Sequence, residues 1–153
     1  MKHLLLLITA SLLTINLAVS QELASQTINT TPSSYNMEET LSKLRTSMKD
    51  IGVNIMAEVD HAKAATKNGL ELRPTHVFIF GNPQVGTNLM QADQRAGLDL
   101  PLRLLVWEDE KGQVNLGYHS PKSLHNLYEL KKQDAVLIKI ALMYEKLSEV
   151  VKK

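Results

Sequence analysis

The residues best equipped for chemistry in this chain sit in Gly81-Asn82-Pro83-Gln84-Val85-Gly86-Thr87. Two glycines separated by four residues, with a hydroxyl after the second, nearly reproduce the phosphate-binding loop of nucleotide hydrolases. The lysine that would hold the terminal phosphates is absent, so nucleotide hydrolysis is not expected. What remains is a tight turn into a helix, whose first unpaired N–H groups can hold an anion or a polar ligand group. A plain structural turn is the competing reading.

Histidines and carboxylates come next. His61 follows Asp60 at the start of a short polar helix and is the better functional histidine, whereas His76 lies in an apolar run and reads as a hydrogen-bonded core residue. His61, His76 and His119 with Glu71, Glu108 and Asp109 carry metal-ligating atoms. They lack the H-x-x-x-H and H-E-x-x-H spacings, and His119 and His125 do not share one helix face, so no metal site and no cofactor are assigned. Glu71 and Glu108 make an acid–base pair if their strand ends converge. No G-x-S-x-G elbow occurs and the chain has no cysteine, which leaves serine or thiol hydrolysis without a nucleophile. The candidate ligand-binding set is therefore His61, Glu71, Asn82, Gln84, Gly86 and Thr87, with no catalytic residue named. Trp107 and Tyr118 line a pocket or fill a core, the core being the commoner fate of strand aromatics.

These side chains need elements to position them. Thr75 to Phe80 is apolar on both alternating sets, which predicts a strand covered on both faces at the centre of a sheet. Pro74 suits its start; Gly81, Asn82 and Pro83 supply a turn, an N-cap and a first helical residue, so a helix begins at Pro83. Asn36 and Glu39 form an N-x-x-E capping box ahead of Met37, Leu41, Leu44, Met48 and Ile51, an amphipathic helix closed by Gly52. Val53, Ile55, Ala57 and Val59 then alternate as a half-buried strand. Asp60 caps a short helix to Lys67. Leu102 to Trp107 and Val114 to Tyr118 pair as a hairpin across the acidic turn Glu108-Asp109-Glu110. Ser120-Pro121 opens another short helix, and a last helix runs from Asp134 to Val151 with an apolar arc from Val136 to Val151. Ile138 and Leu142 lie off that arc and face either the fold or a second copy.

With the short helices left aside, the order strand, helix, strand, strand, helix, strand, strand, helix predicts an α+β domain: one sheet with antiparallel pairs and helices mainly on one face. A ferredoxin-like β-α-β-β-α-β plait with an added hairpin strand and a C-terminal helix is the expected topology. Residues 36–153 form the domain, after a polar leader and weak first strand over 21–35.

Several motifs in one order carry a resemblance. Gly-Leu-Glu-Leu-Arg-Pro-Thr from Gly69, Phe-Gly-Asn-Pro-Gln-Val-Gly-Thr-Asn-Leu-Met from Phe80, Asp-Leu-Pro-Leu from Asp99, Val-Trp-Glu-Asp from Val106 and Leu-Gly-Tyr-His-Ser-Pro from Leu116 resemble the bacterial domain of unknown function 302 family. The resemblance implies a small α+β domain, often exported and sometimes dimeric. It brings no substrate and no catalytic set.

Residues 1–20 join Lys2, an apolar core from Leu4 to Leu13 and the small-x-small site Ala18-Val19-Ser20, the pattern of a secretory signal peptide cleaved between Ser20 and Gln21. No later segment is long and apolar enough to span a bilayer, which predicts a periplasmic or secreted domain of 133 residues. That length suits one domain. Without Lys2, basic and acidic side chains balance, and nothing resembles the basic stripe of a nucleic-acid binder. The reading that follows is an exported, non-catalytic domain holding a small polar or anionic ligand, with His61 and Glu71 at the rim. The alternatives are an interaction module that dimerises or docks on a partner through the last helix, with Ile138 and Leu142 on the surface concerned, and a small metal- or carboxylate-dependent enzyme.

Overall fold

The computed structural model describes residues 28–152, so the expected signal peptide (1–20) and residues 21–27 of the polar leader lie outside the described residues. Eleven segments follow in order: β1 (Ile28–Pro32), α1 (Met37–Asp50), β2 (Asn54–Asp60), α2 (His61–Lys67), β3 (Thr75–Gly81), α3 (Pro83–Ala92), a 3-10 turn (Gln94–Leu98), β4 (Leu102–Glu108), β5 (Val114–His119), α4 (Pro121–Leu127) and α5 (Asp134–Glu149).

Capping chemistry sets most helix starts. Asn36 Oδ1 accepts from the Glu39 N–H at 2.9 Å, Asp60 Oδ1 from Lys63 at 2.8 Å and Asn82 Oδ1 from Gln84 at 2.9 Å. Gly52 closes α1 with φ at 72°, a conformation that a side chain would strain.

The five strands form one antiparallel sheet in the order β1-β5-β4-β3-β2. The α+β reading therefore holds, but the plait is wider than expected. In a ferredoxin-like unit one strand separates the two joined by the first helix; here α1 joins β1 and β2 at opposite edges, with three strands between them. The sheet's centre is β4, not β3, because the β4–β5 hairpin inserts between β3 and β1.

Helices α1 and α5 cover one face. Leu44 and Met48 of α1 and Leu137, Ile140, Tyr144 and Leu147 of α5 pack over Phe78, Phe80, Leu104, Val106 and Leu116. Tyr144 stacks on Tyr118 with centroids 4.0 Å apart and meets Phe80 edge-on at 5.9 Å. Its hydroxyl donates to the Arg103 carbonyl at 3.1 Å, and burial raises its pKa. Ile138 and Leu142 point outward and are each 58% exposed.

Neither α1 nor α5 covers the other face. The register places Val77 and Ile79, Leu105 and Trp107, Gly117, and Thr30 on it, each on the opposite side of its strand from the buried set. Val77 and Ile79 are half-buried, so β3 is covered on one side only, contrary to its two-sided apolar pattern. The β2 alternation also slips. A bulge between Ile55 and Ala57 turns Ala57 and Val59 to the open face, opposite Ile79 and Val77, and brings Glu58 round to the helix side opposite Phe78.

Candidate functional site

The register of β2 and β3 decides which candidate residues can meet. Gly81 pairs with Asn54 at one end of the sheet, and His76 pairs with Asp60 at the other. His61 follows Asp60 and Glu71 precedes Thr75, so both belong to the His76 end; Asn82, Gln84, Gly86 and Thr87 follow Gly81. Six residue steps of about 3.3 Å separate the ends of β3, roughly 20 Å. The structure does not bring His61 and Glu71 to the rim of the Asn82 turn. Glu108, at the end of β4, does share the His76 end: its N–H donates to the Pro74 carbonyl at 2.9 Å.

At the Gly81 end the chain leaves β3 and enters α3 with Asn82 alone between them. The four residues between the glycines are thus mostly the first turn of the helix, and no loop is left to wrap a phosphate. The anion cradle is smaller than the sequence implied. Pro83 has no N–H, the Gln84 N–H is taken by Asn82 Oδ1, and that of Gly86 bonds to the Asn82 carbonyl at 3.0 Å. Val85 carries the one first-turn amide that no described hydrogen bond occupies.

Beside this turn lies a pocket of about 220 Å³. Asn82, Gly86 and Thr87 line one side, while Gln84 stays outside and solvated. The opposite walls come from Met56, in the β2 bulge, and from Leu100, Pro101, Leu102 and Ile140. The walls are mostly apolar; Asn82 and Thr87 are the polar side chains among the lining residues, and Asn82 Oδ1 already accepts from the Gln84 N–H. Gly86 contributes room: a Cβ there would find Leu100 Cδ1 at 3.9 Å and no closer atom. Sequence reading missed the apolar walls because they come from four segments and carry no motif. Met56 in particular reads as an outward residue until the bulge is known.

A neighbouring network ties the same end together. Asp99 accepts from the Tyr128 hydroxyl at 2.6 Å, a bond that raises the tyrosine's pKa, and pairs with Arg103 at 3.6 Å. Asp93 caps the 3-10 turn, holds Arg95 at 2.8 Å and accepts the Glu129 N–H at 3.0 Å, which keeps its carboxyl far below the usual range.

At the His76 end, Glu58 Oε2 lies 2.7 Å from Arg45 Nη2 and 3.0 Å from His76 Nε2. The Arg45 guanidinium, above all through its hydrogen bonds, lowers the Glu58 carboxyl below its ordinary 4.5, with His76 adding to the effect. His76 is thus a hydrogen-bonded histidine, 13% exposed, packed against Phe78 at 5.3 Å. No hydroxyl nucleophile joins this group in the described hydrogen bonds, and Arg45 makes it a brace from α1 to β2 and β3. No group of three or more metal-ligating side chains occurs among the described residues. No described helix is long and apolar enough to cross a membrane.

The relatives agree with this frame. A crystal structure of an uncharacterized conserved protein from Bacillus stearothermophilus superposes with a TM-score of 0.70 at 20% identity, covering 82% of this chain and 96% of that one, which shows a shared fold. Two proteins named fluoride-specific ion channel FluC 1 are 42% identical over 110 residues, 72% of this chain: one from Brucella suis biovar 1, of which the match covers 43%, and one from Brucella abortus biovar 1, of which it covers 41%. The chain thus spans less than half the length of these relatives. The model of the family "Domain of unknown function DUF302" matches residues 29–153, and the chain belongs to that family.

Proposed function

We propose that this domain is an exported, non-catalytic binding module whose ligand occupies the pocket beside the first turn of α3. The observation that carries the reading is the composition of that pocket: apolar walls from four segments, closed on one side by a helix start that carries the Asn82 carboxamide and the Thr87 hydroxyl. Ligand sites are typically of this kind, apolar with a few placed polar groups. Because the walls are apolar and the first turn has already used most of its donors, the ligand is a small molecule with an apolar body and one polar or anionic group. A bare multivalent anion would waste the walls.

Export through residues 1–20, with cleavage between Ser20 and Gln21, is part of the same reading. The Brucella relatives support a modular role, since the matched segment is a minor part of a longer chain there. The ion in the names of those relatives makes fluoride one probe worth including.

Titration with hexanoate, benzoate and sodium fluoride, followed by the backbone amide signals of Val85, Gly86 and Thr87, tests the site. Hexanoate or benzoate should shift these signals saturably, and Gly86→Leu, which fills the pocket, should abolish the shift. Signals that stay still with every probe, or respond equally in Gly86→Leu, would place binding elsewhere.

A further inference from the structure

A second cavity lies at the Gly81 end of the sheet, between the ends of β4 and β5 and the helices α4 and α5. It encloses about 270 Å³ and has only Leu102 and Ile140 in common with the α3 pocket. Those two side chains, with Leu124 and Leu127 of α4, make it largely apolar. Two hydroxyls on it are already engaged: Tyr144 donates to the Arg103 carbonyl at 3.1 Å, and Ser123 to the Ser120 carbonyl at 2.6 Å. The polar groups left to a ligand are Asp99, Arg103 and His119.

The strand register sets two of these side by side. Leu105 pairs with Gly117, so two residues further along Arg103 comes opposite His119, and cross-strand neighbours have Cβ atoms about 5 Å apart. Arg103 is positioned without being saturated. Its Nη2 lies 3.6 Å from Asp99 Oδ1, longer than a hydrogen bond, and 3.5 Å from the Leu98 carbonyl, at the limit of one, which leaves most of the guanidinium's donors open. The short bond to Asp99 comes from the Tyr128 hydroxyl, 2.6 Å from Oδ2. That bond fixes the carboxylate and leaves Oδ1 with accepting capacity. The His119 ring is exposed and enters no described hydrogen bond.

Fixed charges of both signs in one small cavity select a charge pattern. An anion is attracted by Arg103 and repelled by Asp99, and a cation meets the reverse. A molecule that carries both charges close together gains from each, and its carboxylate matches the guanidinium fork. The volume falls below the roughly 300 Å³ at which sites for drug-sized ligands begin, so the occupant is small. We propose that this cavity binds a free α-amino acid with an apolar side chain: Arg103 and His119 hold the carboxylate, Asp99 Oδ1 accepts from the ammonium group, and the four apolar side chains surround the rest. The site is separate from the one beside α3.

The test is a titration of the full chain with L-valine, L-leucine and L-phenylalanine, followed by the backbone amide signals of Arg103, Leu124 and Leu127. At least one amino acid should shift these signals saturably. For L-leucine the matching controls are 4-methylpentanoate, which lacks the ammonium group, and 3-methylbutylamine, which lacks the carboxylate; each should bind at least about 10-fold more weakly. Asp99→Asn, which still accepts from Tyr128, and Arg103→Gln, at a position 53% exposed, should each weaken amino-acid binding on the order of 10-fold or more. Gly86→Leu, which fills the other pocket, should leave it unchanged, so the two sites read separately. If either cavity variant misfolds by circular dichroism, His119→Ala, at an exposed position, takes its place and should weaken binding too. Signals that stay still with all three amino acids at about 10 mM, where a Kd of roughly 1 mM or tighter approaches saturation, overturn the proposal. So does 4-methylpentanoate binding as tightly as L-leucine, or an amino-acid affinity that the folded cavity variants leave unchanged.

Discussion

Individual charges in this protein act as braces more than as reagents. Glu58 takes three hydrogen bonds from Arg45, two from Nε and one from Nη2, and one contact from His76, and this depresses its pKa below 4.5. A carboxylate with a lowered folded pKa adds stability that is fully present above its unfolded pKa and is lost as pH falls through the folded one. The window is therefore the acid side, from about pH 4.5 downward. Glu58→Gln should lower the melting temperature near neutral pH and flatten its fall on acidification, with the two proteins converging at low pH. Thermal unfolding from pH 7 to pH 3 reads this directly; parallel curves for the two proteins would mean that Glu58 titrates normally. Half-exposure keeps the effect modest.

Elements differ in how openly the sequence declares them. Cap residues act within a few positions of themselves, so Asn36, Asp60 and Asn82 announced α1, α2 and α3 correctly, and the wide apolar arc of α5 separated buried Leu137, Ile140, Tyr144 and Leu147 from exposed Ile138 and Leu142. Strands are decided by partners far along the chain. Nothing local in Ile55-Met56-Ala57 reports the bulge that reverses the faces of Val59 and Glu58, and the apolar pattern of β3 says that both faces are fit for burial without saying what covers them. The candidate site failed in part for the same reason: His61 and Glu71 are close to Asn82 in sequence but separated by the length of β3. The energies of α1 follow its placement. Asn36→Ala should cost about 1 kcal/mol through the lost cap, while Leu44→Ala, at a position with no exposure, should cost about 2–5 kcal/mol. Ile138→Ala should change stability by less than about 0.5 kcal/mol. Urea denaturation orders the three, and a costly Ile138→Ala would show that α5 has a second buried side.

At the scale of the whole molecule, one face of the sheet builds the core, one end builds a pocket, and the pocket's walls depend on both. Met56 reaches it only because β2 bulges, and Ile140 only because α5 crosses that end of β4. The proposed binding module would work by holding a small molecule there, and that molecule should survive gentle handling. Native mass spectrometry of the protein expressed with its own N-terminal segment, alongside Gly86→Leu prepared in the same way, tests that claim most directly. A small organic mass retained by wild type and missing from Gly86→Leu is the predicted result. A clean apo protein that stays apo with hexanoate and benzoate, or an adduct carried equally by both proteins, would contradict it.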